Sequence, residues 1–107
     1  VEFMLHGPPF TIVNGGPHDA LSPAVSISVL TEDQFETDQL WQKLLADGGE
    51  EGKCGWITNK FGASWQIVPR VVIELLNSDD SGLVQRVNKE MLSMSKIEFA
   101  RLRAAAD

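Results

Sequence analysis

The sequence has few of the residues on which many functions depend. Cys54 is its one cysteine, which excludes an intrachain disulfide and a cluster of thiolate metal ligands within these residues. Nine Lys and Arg residues stand against 15 Asp and Glu residues, and the formal net charge is −6. Nucleic acids and anionic membranes bind concentrated basic patches, so we expect neither as a partner. The lone thiol favours a reducing, cytoplasmic setting.

Long apolar runs are also missing. No run approaches the roughly 20 residues that a membrane-spanning helix needs, and no segment has the pattern of a signal peptide. Hydrophobic residues make up 43% of the chain and charged residues 22%, as is usual in globular proteins. The 107 residues therefore correspond to one small domain or to part of a larger one.

The first half of the chain predicts strands and one helix. Residues 1–14 read as a hairpin that turns at Gly7-Pro8-Pro9, with a return strand from Phe10 to Val13. Residues 25–29 alternate apolar and seryl residues, which is typical of a strand with one buried face. Thr31 and Gln34 predict a capping box at the start of a helix that ends near Ala46. The apolar stripe of this helix consists of Leu40, Trp41, Leu44 and Leu45.

The second half predicts two strands and then helices. The strands cover residues 53–58 and 63–68, and a short additional strand is expected near 49–52. Helices are expected at about 71–76, 82–94 and 96–106, the last with a capping box from Ser95 to Glu98. Leu83, Val87, Met91 and Met94 form the stripe of the middle helix.

Two of the predicted strands carry small polar side chains on one face. Ser26 and Ser28 alternate with apolar residues in the first strand, and Ser64 and Gln66 do so in the last. That face is either solvated or the lining of a cleft, and the pattern alone leaves both open.

Several segments resemble one family. They are NGGP at 14–17, CGW at 54–56, NKFGASWQIVP at 59–69 and the helical sequence at 83–106. The chain resembles the PhnB-like proteins, also called the 3-demethylubiquinone-9 3-methyltransferase-like domain. These belong to the vicinal oxygen chelate superfamily, with glyoxalase I, bleomycin-resistance proteins and extradiol dioxygenases.

The resemblance implies an α+β fold built from glyoxalase-like βαβββ modules. Residues 1–23 correspond to the end of a first module and a linker, 24–69 to a complete second module, and 70–107 to a C-terminal helical extension. The first strand and helix of the first module have no counterpart in this sequence. We therefore expect a homodimer whose second subunit, or a missing N-terminal segment, closes the cleft.

The resemblance also suggests where a divalent metal would bind. Superfamily enzymes use His, Glu or Gln ligands, and the corresponding positions here fall at Gln66, near Ala24 and at Asn14. Ala24 has no ligand atom, and the amides of Gln66 and Asn14 are weak ligands. We therefore expect no cofactor, with a divalent metal at Gln66 as the alternative.

Other candidate residues are weaker. His18 is a candidate general acid or base, whereas His6 is expected at the surface. Cys54 is expected as a small buried strand residue and Trp65 as core, while Trp56 is either core or a cleft wall on which a flat ligand stacks. The predicted ligand cleft consists of Asn14, Ser26, Ser28, Trp56, Ser64 and Gln66.

Four functions follow from these observations, the last of them a structural or interaction module whose cleft is vestigial. The first is a dimeric small-molecule-binding protein with a degraded or absent metal site. The second is a metal-dependent vicinal oxygen chelate enzyme. The third, from the family label alone, is methyl transfer to a quinol, but no Gly-rich strand-to-helix loop for a Rossmann-type cofactor is present.

Overall fold

The computed structural model describes residues 2–4, 7–11 and 21–107. The predictions made for His6, Asn14 and His18 lie outside these residues. The elements, in chain order, are β1 (Glu2–Met4), β2 (Pro9–Thr11), β3 (Ser26–Thr31), α1 (Gln34–Leu45), β4 (Glu50–Glu51), β5 (Trp56–Thr58), β6 (Ser64–Pro69), α2 (Arg70–Leu76), α3 (Ser81–Leu92) and α4 (Phe99–Ala106).

The strands form two sheets. β1 and β2 pair as an antiparallel hairpin, in which the rings of Phe3 and Phe10 stack with their centroids 5.7 Å apart. The larger sheet has the order β3-β6-β5-β4, with β3 parallel to β6 and the other pairs antiparallel. One strand, one helix and three strands thus follow one another from 26 to 69, which confirms the α+β class and the βαβββ order.

Helix α1 packs on one face of this sheet. Val29, Trp41, Ile57 and Ile67 form a buried cluster, and the stripe residues Leu40, Leu44 and Leu45 pack against it. The predicted stripe is therefore correct, because i, i+3 and i+4 spacing places these side chains on the sheet side of the helix.

The predicted cap of α1 is wrong. Asp33, not Thr31, is the N-cap, and its carboxylate accepts a hydrogen bond from the Glu36 N–H at 2.8 Å. Thr31 is the last residue of β3, and its buried hydroxyl lies 2.7 Å from that of Thr37. The strand continues two residues further than its seryl alternation indicates, which shifts the cap forward.

Helices α2, α3 and α4 have a core of their own. Val72, Val87, Met94, Ile97 and Leu102 are buried together, and Val68 at the end of β6 packs against them. Gln34 at the start of α1 connects this unit to that helix. Its Nε2 donates to the Ile97 carbonyl at 3.1 Å, and its Oε1 accepts from the Phe99 N–H at 2.7 Å.

Further boundaries differ from the prediction: β5 begins at Trp56 rather than at residue 53, and α3 ends at Leu92 rather than at residue 94. Val25 precedes β3 and is 79% exposed, so it takes no part in the core. Helix α4 begins at Phe99 with Glu98 as N-cap and no side-chain capping bond, so the Ser95 capping box does not form. Pro9 starts β2 opposite Met4 rather than lying in the turn. Among the described helices, none combines the length and the hydropathy required to cross a bilayer.

Candidate ligand-binding face

The strand register brings the predicted polar residues of the large sheet onto one face. Ser26 lies opposite Ser64, and Ser28 lies opposite Gln66. Gln66 also lies opposite Trp56 on its other side. Residues directly opposite each other share a face, and the intervening residues Ile27, Ile57 and Ile67 point to α1. We call the surface away from α1 the polar face. Among its residues, Ser26, Ser28, Trp56, Ser64 and Gln66 were predicted to line a cleft.

A hydrogen bond joins two of these side chains. Gln66 Nε2 donates to Ser26 Oγ at 2.8 Å, from the second strand of the sheet to the edge strand. This bond orients the amide, so the Gln66 carbonyl oxygen is presented as an acceptor. Ser64 is only 6% exposed, whereas Ser28 is exposed. The polar face therefore has a covered part at Ser64 and an open part at Ser28.

Two cavities adjoin the polar face. One, of about 270 Å³, has Ser26 and Ser64 in its wall beneath the segment of Leu21, Ser22 and Val25. The other, of about 550 Å³, lies along the side of β3 away from β6, where Ser28 and Leu30 face Pro8 and Phe10 of the hairpin. Among the strands that the structure describes, β3, which bounds the larger cavity, pairs with β6 alone.

Sequence reasoning missed three members of this face. Thr58 lies opposite Ser64, and Glu50 lies opposite Thr58, so both share the face of the serines. Gly52 follows two residues after Glu50, and its N–H donates to the Trp56 carbonyl at 2.8 Å. The two-residue strand β4 is too short to show alternation, so only the observed register identifies its face.

The position of Gly52 explains why Trp56 fits here. A Cβ on Gly52 would lie 3.0 Å from the Trp56 Cβ and 3.1 Å from the Trp56 carbonyl oxygen. Such distances are shorter than ordinary contacts, so the absence of a side chain at 52 lets the backbone and Cβ of Trp56 approach this closely. Trp56 is half-buried, which is suitable for a ring that supports a flat ligand.

The described residues do not fit a divalent metal. Gln66 offers one ligand atom, its amide oxygen, since its Nε2 donates to Ser26, and the carboxylate of Glu50 is two strands away, about 10 Å at ordinary strand spacing. Ala24 precedes β3 and has no ligand atom. Within residues 2–4, 7–11 and 21–107, no group of three His, Cys, Asp or Glu side chains converges on one point. Among the described residues, Gln66 therefore has no His, Cys, Asp or Glu partners with which to form such a site.

The remaining candidates lie elsewhere. Cys54 is in the turn before β5 rather than in a strand, has a φ of 54°, and is only partly buried. Its thiol donates to the Met91 carbonyl at 3.3 Å. Trp65 packs against the α1 cluster, and its buried Nε1 has no hydrogen-bond partner among the described residues.

An ion pair joins the carboxyl ends of the two parallel strands. Arg70, directly after β6, donates from Nε and Nη2 to the carboxylate of Glu32, directly after β3, at 2.9 to 3.1 Å. These hydrogen bonds lower the pKa of Glu32 and raise that of Arg70. Both side chains line the larger cavity but neutralise each other, so Arg70 is not a free anion-binding group.

The comparison with known families agrees with this geometry. The family model of 3-demethylubiquinone-9 3-methyltransferase matches residues 1–68, more than half of the chain. The chain belongs to this family. The match confirms the resemblance to PhnB-like proteins and covers β1 to β5 with nearly all of β6. A comparison with curated protein sequences finds no match.

The family description does not by itself assign methyl transfer to this chain, because one fold supports many activities. A Rossmann-type cofactor site would need a Gly-rich turn between a strand and the following helix. Here β3 passes into α1 through Glu32 and Asp33, a segment without glycine. The family membership therefore identifies the fold, and the polar face is the candidate functional site.

Proposed function

We propose that this protein binds a small molecule on the polar face and needs no metal for it. The observation that supports this most directly is that one face gathers hydroxyl, amide and indole groups from three strands. A few directional polar groups beside an aromatic wall are typical of small-molecule sites. The Gln66–Ser26 hydrogen bond fixes the orientation of the amide before any ligand arrives.

We propose further that the protein is a homodimer in which the second subunit covers the edge of β3 that pairs with none of the described strands. An edge strand with unpaired backbone groups invites an added strand or a covering surface. Leu30 on this edge is 39% exposed and lines the larger cavity with Phe10. A second copy would bury this apolar surface and deepen the polar face into a cleft.

A metal titration combined with a ligand screen tests the binding function. Purified full-length protein is analysed for metal content and titrated by calorimetry with Zn, Mn, Ni and Fe(II). We expect no stoichiometric binding of any of them. A thermal-shift screen of neutral and charged metabolites is expected to yield ligands that stabilise the wild type but not Gln66→Ala. Tight stoichiometric metal binding would instead favour the metal-dependent enzyme.

Light scattering after size-exclusion chromatography tests the dimer. We expect the mass of two chains for the wild type and of one chain for Leu30→Lys, which places a charge in the larger cavity. Leu92→Lys is the matched control, because Leu92 is 71% exposed on α3 and does not line that cavity. A monomeric wild type at micromolar concentration would contradict the proposed dimer.

A further inference from the structure

One row of the polar face crosses all four strands of the large sheet. Ser26 on β3 lies opposite Ser64 on β6, Ser64 opposite Thr58 on β5, and Thr58 opposite Glu50 on β4. Every side chain in this row ends in oxygen. The row therefore presents hydroxyl groups at one end and a carboxylate at the other.

The charge of this surface has one sign. Positions of β3 to β6 on the polar face include Glu50 but neither Lys nor Arg. The carboxylate of Glu50 is exposed, and no ion pair or hydrogen bond with another described side chain engages it. Its neighbour Glu51 faces α1 instead and accepts a hydrogen bond from Trp41 Nε1 at 2.8 Å. The chain as a whole carries a formal charge of −6, which adds to the negative potential.

An aromatic ring lies beside this carboxylate. Glu50 lies opposite Thr58, and Trp56 is two residues before Thr58 in β5, so Trp56 and Glu50 are diagonal neighbours on one face. Diagonal neighbours in an antiparallel pair are about 7–8 Å apart. A ligand whose ring stacks on the indole of Trp56 can therefore reach the carboxylate of Glu50 with a side arm of two or three bonds. The face of an indole also attracts cations.

We propose that the ligand of the polar face is a planar organic cation, with its ring on Trp56 and its protonated amine at Glu50. The inference rests on the proposed binding function and adds the chemical class of the ligand. Anionic ligands such as carboxylates and phosphates are disfavoured, because nothing on these strands offsets the charge of Glu50. Glu50 is thus the residue that determines charge specificity.

A matched series of indoles tests the charge preference. Tryptamine, tryptophol and indole-3-propionate carry one ring with a cationic, neutral or anionic arm at pH 7. Binding to the ¹⁵N-labelled full-length protein is followed by NMR titration at low ionic strength, where exposed charges are least screened. We expect shifts at Trp56, Gln66 and neighbouring amides, with tryptamine bound about two- to fivefold more tightly than tryptophol and indole-3-propionate bound most weakly.

Two variants that each remove one negative charge distinguish a local effect of Glu50 from the effect of the protein's overall negative potential. Glu50→Gln is expected to abolish the preference for tryptamine over tryptophol. Glu51→Gln removes one negative charge from the adjacent residue on the opposite face and retains an acceptor for Trp41, so it should leave the preference intact.

The outcomes distinguish this inference from the proposed function. Equal binding of all three indoles on the polar face, or a preference that survives Glu50→Gln, would overturn the inference and leave the binding function standing. Glu50 would then serve only to keep the edge strand β4 from pairing with other chains. Binding of none of the three at this face, together with no hit in the metabolite screen, would overturn both.

Discussion

Gln66 donates a hydrogen bond to the hydroxyl of Ser26 at 2.8 Å, and this bond links the edge strand β3 to β6 through their polar side chains. The two residues are 40 positions apart in sequence. They are close because β3 and β6 pair in parallel with Ser28 opposite Gln66, so that Ser26 lies one diagonal step away. The bond is the structural feature around which the proposed site is arranged.

Removing either partner of this bond should change stability modestly. Gln66→Ala and Ser26→Ala are each expected to lower the free energy of unfolding by about 1 kcal/mol, the usual net value of such a bond. Urea unfolding of both single variants and the double variant checks this. The double variant should lose less than the sum of the singles, and strict additivity would show that the bond contributes nothing in solution.

Gly55 is expected to tolerate no side chain. Its φ is 86°, and a Cβ would lie 2.7 Å from the Ile67 carbonyl oxygen in β6. Gly62 is a close control, because its φ of 84° is nearly the same. A Cβ on Gly62 would have the Leu21 Cβ as its nearest neighbour, at 4.0 Å. Alanine at either position incurs the left-handed strain of about 1–2 kcal/mol.

Gly55→Ala should therefore be less stable than Gly62→Ala by roughly 2 kcal/mol, because the new Cβ forces the backbone of β6 at Ile67 to shift. The midpoints of chemical unfolding measure the difference. Equal losses in the two variants would mean that the turn before β5 adapts without moving β6.

Thr31 and Thr37 should respond unequally to loss of their hydroxyl groups. Thr37 Oγ1 lies 2.9 Å from the Asp33 carbonyl and donates its proton there, so Thr31 must be the donor in the bond of 2.7 Å between the two hydroxyls. Thr37→Val leaves the Thr31 hydroxyl buried without an acceptor, at a cost of about 1–3 kcal/mol. Thr31→Val keeps the bond from Thr37 to Asp33 and should cost less.

The double variant of these threonines provides the check. It leaves no buried hydroxyl without a partner, so it should be no less stable than Thr37→Val alone. Thermal and urea unfolding of the three variants give the order. A Thr31→Val variant that loses more stability than Thr37→Val would show that the proton assignment is reversed.

Acid should weaken the contact between α1 and the C-terminal unit. The Lys96 ammonium lies 2.8 Å from Asp38, and hydrogen bonds from Lys96 and Gln34 hold the pKa of Asp38 below its ordinary value of 3.8. A carboxyl whose pKa is lower when folded adds stability above its unfolded pKa. That stability is lost as the pH falls through the lower, folded value.

Asp38→Asn should therefore reduce the loss of stability on acidification below about pH 4, the region of the ordinary value of 3.8. The effect is small, because both side chains are more than a third exposed. Urea unfolding between pH 2 and 7 at low salt compares the variant with the wild type. Parallel pH profiles of the two proteins would show that this pair makes no contribution.

Local patterns in the sequence predicted much of the fold because they depend on nearby residues. The serine alternation around Ile27 predicted a strand, and the spacing from Leu40 to Leu44 predicted the buried side of α1, as the structure confirms. Where two local signals competed, the prediction was wrong. Thr31 has the spacing of a capping residue, but pairing with Pro69 holds it in β3, and Asp33 caps the helix instead.

The sequence by itself determined which strands carry polar residues, because alternation with period two depends only on residues that are adjacent in sequence. Ser26, Gln66 and Trp56 were predicted to line one cleft, but only the tertiary structure decided the register that brings them to one face, since this register joins strands far apart in sequence. It also placed Glu50 there and Glu51 on the other side, which a strand of two residues could not show. Pairing register is a long-range property set by the packing of the whole sheet against α1, and no local pattern contains it.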